Sequence, residues 1–297
     1  MTSPATDKIY DLIIVGGGPA GAAAALYSKR YKLKTLLLER AKFPRDKICG
    51  DAFSGKALTI LQELGLIEKV SDLPGATIHT VTFGSPKGNK VNVDLRHSSK
   101  REFHTGYVIQ RQIFDTFLFR EAQKVVDKTL ENFTVTGLIQ EDGRVCGIRG
   151  KQGNNAEFVE FRGRILLGAD GFSSIVARKT GLYNHTPHHW IVALRCYYQN
   201  VEGLTNQIEL HYLDKFTPGY FWIFPLENGY ANVGLGMLHS FIKKQKINLR
   251  DILKRTIESD RFKDRFTNAT PLESPIGWNL PVGSIHREIC GDGFMLL

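Results

Sequence analysis

Residues 11–40, DLIIVGGGPAGAAAALYSKRYKLKTLLLER, constrain the fold more than any other stretch of the chain. The apolar run 12–15 is ended at once by glycine, the pattern of a short buried strand. Gly16, Gly18 and Gly21 then fit G-x-G-x-x-G, with Pro19 and Ala20 between the second and third glycines. An alanine-rich run, 22–25, continues as a helix through Lys29, because Ala has the highest helix propensity. A second apolar run, 35–38, ends on Glu39 and Arg40. In a strand–turn–helix of this kind Gly16 permits the tight turn, Gly18 lets a diphosphate approach the backbone, and Gly21 lets the helix pack on the sheet. The helix N-terminus offers free N–H groups to phosphate. Glu39 lies 23 positions beyond Gly16. A carboxylate at that strand tip accepts hydrogen bonds from a ribose 2′-OH, which favours FAD or NAD over a phosphorylated ribose. The competing reading of Glu39 is an exposed strand-end acid.

With 297 residues the chain suffices for one large or two modest domains. A hydrophobic content of 42% and a charged content of 23% fit an ordinary globular protein. No apolar run reaches 18 residues, so no transmembrane helix is expected. Residues 1–11 carry no apolar h-region, so no secretory leader is expected, and residues 1–8 read as a short lead-in. The four cysteines, at 49, 146, 196 and 290, form no C-x-x-C pair. They suggest neither a zinc site nor a disulfide framework, and a reducing cytoplasmic setting follows. No His/Asp/Glu cluster has metal-ligand spacing. The net charge of +9 is spread along the chain rather than gathered in one tract. No nucleic-acid-binding signature accompanies it, so no nucleic-acid partner is expected.

Beyond Arg40 a loop with Lys42, Pro44, Arg45 and Lys47 leads to Ile48-Cys49-Gly50-Asp51. A helix over 54–64 follows, with Gly65 as its C-terminal cap. Alternation at 79–83 and 91–95 around Gly84-Ser85-Pro86-Lys87-Gly88 predicts a hairpin. The spacing of Ile113, Phe117, Leu118 and Ala122 predicts a helix over 112–126. Strands are expected at 133–138, 144–149, 157–162 and 164–167, the last running into Gly168-Ala169-Asp170-Gly171. Ser173 or Ser174 can cap a short helix through Arg178. Strands at 190–199, 207–212, 220–225 and 230–237 suggest an antiparallel sheet in a second, α+β domain. A helix over 249–257 and an irregular stretch over 271–281 complete the pattern.

Three pieces coincide: the G-x-G-x-x-G unit ending in Glu39-Arg40, Arg111 at a strand-to-helix junction, and Ala169-Asp170-Gly171 before Phe172-Ser173-Ser174. Together they resemble FAD-dependent monooxygenases and reductases built like aromatic hydroxylases. Two further stretches are similar to the geranylgeranyl reductase family. One is Phe43-Pro44-Arg45-Asp46-Lys47-Ile48-Cys49-Gly50-Asp51. The other is Tyr220-Phe221-Trp222-Ile223-Phe224-Pro225, followed by Asn232-Val233-Gly234-Leu235-Gly236. These match the family's Tyr-x-Trp-x-Phe-Pro and Asn-Val-Gly-x-Gly patterns in order.

The resemblance implies an α/β fold. A doubly wound, Rossmann-like FAD-binding domain would be built from residues 1–75 and 109–185, with strands inserted at 76–108. An antiparallel-sheet α+β substrate domain would span 186–290, and 291–297 would return as a strand of the first domain. In that fold a Gly-Asp segment and a helix follow this strand and close the FAD site, and the chain stops before them.

The resemblance also implies roles for particular residues. Gly16, Gly18, Ala20, Gly21, Glu39, Arg40, Cys49, Gly50, Arg111, Val135, Asp170 and Gly171 would contact FAD. Cys49 would lie beside the flavin as the candidate catalytic residue, with Lys47 and Arg45 near its thiol. Without the resemblance, a free cysteine reads as a small apolar filler. Tyr220, Trp222 and Phe224 alternate and so share one face of a strand. They would meet an extended apolar substrate, or simply form a sheet core. Asp170 either bonds the cofactor or caps the following helix. Arg111 reaches the phosphates or is a surface cation.

The activity implied is reduction of carbon–carbon double bonds in a prenyl lipid by reduced FAD. A monooxygenase or halogenase of the same fold is the alternative, and a non-catalytic flavin-binding protein a third reading. The resemblance points to NAD(P)H as reductant, although no second G-x-G-x-x-G occurs in the chain. A lipid substrate implies contact with the inner membrane surface without spanning it, which the positive charge suits.

Overall fold

The structure is a computed structural model that describes residues 8–53, 55–97, 105–154, 157–183, 185–214 and 216–297. The chain forms two compact units. The first gathers Met1–Asp46, Phe114–Asn184 and His286–Leu297, and the second Lys47–Ile113 and His185–Ile285.

The first unit is built on a mainly parallel sheet. Its strands run in the order Cys290–Gly291, Phe294–Leu296, Val159–Gly168, Ile9–Val15, Thr35–Leu38 and Lys128–Leu130. Leu12, Ile13, Ile14 and Val15 are all buried, as are Leu36, Leu37 and Leu38, because a parallel strand is covered on both faces. The register sets Val15 beside Gly168 on one side and Leu38 on the other. Three strand ends therefore meet at the glycine turn. Helix Pro19–Arg30 leaves that turn with Pro19 in its first turn, where the missing N–H costs nothing. Strands Phe133–Glu141 and Arg144–Gln152 pair antiparallel with one another, and the second pairs with the first half of Val159–Gly168.

Two details differ from the sequence reading. The expected strands at 157–162 and 164–167 are one strand, Val159–Gly168. It passes through Gly163 unbroken, since a Cβ there would stand 2.8 Å from Ile13 Cγ1 and only glycine allows the approach. The parallel edge strand Lys128–Leu130 was not anticipated, because three residues carry no readable period.

The second unit is organised by a sheet in the order Thr270–Pro271, Trp190–Gln199, Tyr230–Leu238, Gly219–Pro225, Gln207–His211, Thr80–Gly84 and Lys90–Asp94. The predicted hairpin at 80–94 forms, and Thr80–Gly84 runs parallel to Gln207–His211, so it extends this sheet. The stretch expected to be irregular contains strand Ile276–Pro281, which pairs antiparallel with Trp190–Gln199 on the side away from Tyr230–Leu238. One face of the sheet carries Leu194, Phe221, Ile223, Val233, Leu235 and Met237, and packs on Leu249 and Leu253 of helix Leu249–Ile257 and on Phe262 and Phe266. The opposite face carries Trp222 and Phe224. A three-stranded sheet, Ala52–Phe53, Gly106–Val108 and Ala76–Ile78, lays Ile78 and Val108 on it. The helix expected from Ser54 is Lys56–Glu63, and Ser54 itself lies outside the described residues. Among the described residues no helix is long and apolar enough to cross a membrane.

Candidate functional site

The glycine turn of the first unit is tight enough to exclude any side chain at three positions. A Cβ on Gly16 would sit 2.3 Å from the Ala169 carbonyl oxygen, and Gly16 holds φ at +107°. A Cβ on Gly21 would sit 1.8 Å from the Gly16 carbonyl oxygen. Gly17 is constrained as well, with Phe119 ring carbons 2.6 Å from its Cβ position, which the motif alone did not reveal. Gly18 differs: its Cβ direction is open apart from the Arg45 guanidinium at 3.5 Å. The turn is thus closed on its sheet side and open at Gly18, beside a cation. Arg45 is oriented by an ion pair of 2.7 Å with Asp115, whose side chain is 0% exposed. Sequence reasoning set Arg45 beside the Cys49 thiol and missed this pairing with a residue 70 positions away.

Glu39 is only 6% exposed. One carboxylate oxygen accepts from the Gly17 N–H at 2.8 Å and the other from the Ala41 N–H at 2.9 Å. The same carboxylate that would take a ribose hydroxyl therefore also fixes the turn. Arg40 and Ala20 are exposed at the strand tip and the helix start. Asp170 does cap the next helix, its Oδ2 accepting from Ile175 N–H at 2.6 Å. Its Oδ1 is buried with no hydrogen-bond partner among the described residues. Ser174 provides the second cap, accepting from Ala177 N–H at 2.9 Å. Gly171 sits at φ +72° with open space around its Cβ position, so backbone conformation and not crowding calls for glycine there. Val135 is buried in the core of this unit, opposite Gly150.

In the second unit the segment 49–51 is bound to the sheet by Asn232, a fully buried residue. Its Nδ2 donates to the Cys49 carbonyl oxygen at 2.8 Å and to Asp51 Oδ2 at 2.7 Å, while its Oδ1 accepts from Trp222 Nε1–H at 2.9 Å. Gly50 packs under Phe224, whose ring would lie 2.9 Å from a Cβ. Tyr220, Trp222 and Phe224 form the expected row, with ring centroids 6.0 and 6.2 Å apart. Trp222 and Phe224 are buried and Tyr220 is half-buried, so the row emerges towards solvent at Tyr220. Gly234 faces the Trp222 indole, where a Cβ would stand 2.3 Å from Cζ2. Lys47 lies 3.2 Å from the Trp278 ring centroid, an engagement the sequence reading did not include. Arg111 lends its backbone N–H to Asp51 Oδ1 at 3.2 Å.

Asp51 is 2% exposed and holds φ at +66°. Burial pushes its carboxyl from the ordinary 3.8 up to about 6, against hydrogen bonds from Tyr197 and Asn232, the Arg195 charge and the Arg111 N–H, which pull it down. Burial also raises Tyr220, with Tyr212 and Cys49 adding to the effect. Among the described residues no group of three His, Cys, Asp or Glu side chains is placed to hold a metal ion.

A family model for the FAD binding domain matches residues 10–229, and one for the geranylgeranyl reductase catalytic domain matches residues 191–277. The menaquinone reductase of Mycobacterium tuberculosis is 30% identical over 98% of the chain and 70% of its own length. The chain belongs to the geranylgeranyl reductase family of FAD-binding proteins. Within this family of FAD-dependent oxidoreductases it is also similar to the digeranylgeranylglycerophospholipid reductase of Thermoplasma volcanium, at 31% identity over 85% of the chain. The chain spans 62% of that relative's length. A solved geranylgeranyl bacteriochlorophyll reductase-like protein from Thermoplasma acidophilum superposes with a TM-score of 0.85 at 27% identity, covering 98% of this chain and 70% of that one.

The residues of the first unit suit the family's FAD. The glycine turn is closed to side chains yet open at Gly18 to a diphosphate, and the buried, unpartnered Asp170 Oδ1 is an acceptor awaiting a donor. FAD hydroxyls supply such donors. The geranylgeranyl reductase catalytic match takes in Tyr220, Trp222, Phe224, Asn232, Gly234 and Gly236.

Proposed function

We propose that the chain is an FAD-dependent reductase of carbon–carbon double bonds in a prenyl lipid, of the kind digeranylgeranylglycerophospholipid represents. The observation that carries this reading is the aromatic row Tyr220–Trp222–Phe224, set over mid-strand glycines and tied through Asn232 to the Cys49–Gly50 turn. That row is apolar and one strand wide, buried at Trp222 and Phe224 and open at Tyr220, where the end of an extended hydrocarbon chain can meet it.

On this reading Gly16, Gly18, Ala20, Gly21, Glu39, Arg40, Arg111, Val135, Asp170 and Gly171 hold FAD, with Arg45 as an added cation near the diphosphate. Cys49 and Gly50 flank the flavin, while Tyr220, Trp222 and Phe224 hold the lipid chain and exclude water. Bound and reduced, FAD supplies a hydride equivalent to one alkene carbon. NAD(P)H is the reductant on this reading. The net charge of +9 would hold the protein at an anionic bilayer that presents the lipid.

The test is anaerobic: dithionite-reduced, FAD-loaded protein is mixed with digeranylgeranylglycerophospholipid in anionic vesicles, and the lipid is analysed by mass spectrometry. The expected result is a gain of two hydrogens per double bond, with vesicle flotation of the protein at low salt. An unreduced lipid, together with oxygen-dependent hydroxylation of any acceptor, contradicts the reading. Absence from the floated vesicles at low salt contradicts its membrane part.

A further inference from the structure

Reducing an alkene requires a proton as well as a hydride equivalent, and no residue has yet been given that task. The Asp51 carboxyl is buried at the Cys49–Gly50 turn. Its backbone is left-handed, φ +66°, and its side chain bonds to Tyr197 and Asn232 of the sheet. A carboxylate offers about four lone-pair positions. Three are taken: Oδ2 accepts from the Tyr197 hydroxyl and from Asn232 Nδ2, each at 2.7 Å, and Oδ1 accepts from the Arg111 N–H at 3.2 Å. Tyr197 is half-buried and packs in the same cluster as Trp222, Phe224 and Tyr220. It shares a cross-strand row with Asn232 and Phe224, so its side chain stands on the aromatic face. Its phenol thus joins a buried acid to the aromatic row that on our reading meets the lipid.

We propose that Asp51 and Tyr197 form the proton relay of this site, a role that rests on the reductase reading above. When Asp51 carries a proton on Oδ2 it donates to the Tyr197 oxygen, and the Tyr197 O–H is released to point at the lipid. As the hydride equivalent reaches one alkene carbon, the Tyr197 O–H bond breaks and a C–H bond forms at the other carbon. The Tyr197 oxygen takes the Asp51 proton, Asp51 ends as a carboxylate, and a solvent proton restores it. The hydride equivalent from reduced FAD brings the electron pair of one C–H bond, the broken alkene π bond supplies the pair that takes the Tyr197 proton, and one solvent proton is consumed.

Among the described residues, the groups that act on the Asp51 carboxyl are Tyr197, Asn232, Arg195 and the Arg111 N–H. Arg195 lies beside it, its guanidinium 4.0 Å from the Tyr197 ring centroid and ion-paired with Glu273. Tyr197 is the partner itself, Arg111 gives a backbone N–H, and Cys49 lies two residues away. Burial holds the carboxyl up at about 6. A donor must be protonated to act, so turnover falls as pH rises through that value and is greatest below it.

The test pairs infrared titration of the protein as purified with single turnovers of the reduced, FAD-loaded protein on digeranylgeranylglycerophospholipid. We expect a carboxyl band that titrates near pH 6, is missing in Asp51→Asn and moves to higher pH in Tyr197→Phe, since the lost hydrogen bond favoured the charged form. In turnover, Tyr197→Phe and Asp51→Asn each lose about 100-fold or more, the range of general acid catalysis, and Asp51→Asn loses the fall near pH 6. A carboxyl band unmoved by Tyr197→Phe overturns the relay. So does a wild type that reduces the lipid while Tyr197→Phe keeps its rate and pH profile. A wild type that reduces no prenyl lipid overturns the reductase reading, and the relay's task with it.

Discussion

Gly21→Ala is expected to empty the flavin site and to destabilise the first unit by about 3 kcal/mol or more, at the upper end of overpacking costs. The added Cβ would lie 1.8 Å from the Gly16 carbonyl oxygen and 3.3 Å from Ala169 Cβ. Helix Pro19–Arg30 must then lift from the turn, and the turn has no room to yield. Gly16 is pressed against the Ala169 carbonyl on one side, and Gly17 is held by Glu39 and crowded by Phe119 on the other. Thermal unfolding and flavin content of the purified variant check this. A variant that melts like the wild type and keeps its flavin would show that the turn is not the rigid element described here.

Asn232→Leu is expected to cost about 3 kcal/mol or more and to loosen the Cys49–Asp51 segment from the sheet. Leucine matches asparagine roughly in size but leaves the Trp222 indole N–H, the Cys49 carbonyl and one Asp51 hydrogen bond without their Asn232 partner. Each buried polar group stripped of a partner costs about 1–3 kcal/mol. The Asn232 bond favours the ionised carboxylate, so its loss raises the Asp51 pKa further and makes the defect worse above pH 6 than below it. Trp222 fluorescence and chemical unfolding at pH 5 and pH 8 read both effects. An equal loss relative to wild type at the two pH values, or an unchanged indole environment, would contradict the network.

The first unit was largely legible because its chemistry is local. Strand, glycine turn, helix and spaced acid all fall within residues 11–40, and each follows from short-range sterics. Glu39 was legible in position but not in full: its bonds to Gly17 and Ala41 fix the turn, and such backbone bonds leave no mark on sequence. The strands of the second unit were legible as elements, and the aromatic row as a face, since period-two alternation survives in an antiparallel sheet.

The site of the second unit was not legible as a network. Asp51 meets Tyr197 across 146 positions and Asn232 across 181. Asn232 was noted only as part of a glycine pattern. The available signal was chemical: an asparagine inside the apolar run 231–237 is a polar group in a buried strand, and such a group needs partners. Arg45 was likewise assigned by proximity in sequence to Cys49, while the structure pairs it with Asp115 across 70 positions. Lys47 went to the face of Trp278 for the same reason, a partner brought in by the sheet and not by the chain.

The measurement that tests the account most directly is titration of the purified, flavin-stripped chain with FAD, followed by absorbance and by isothermal calorimetry. The account predicts one FAD per chain, a resolved flavin spectrum, and loss of that binding in Gly21→Ala. A folded wild-type chain that takes up no FAD, or that binds it as well with Gly21→Ala as without, would contradict it.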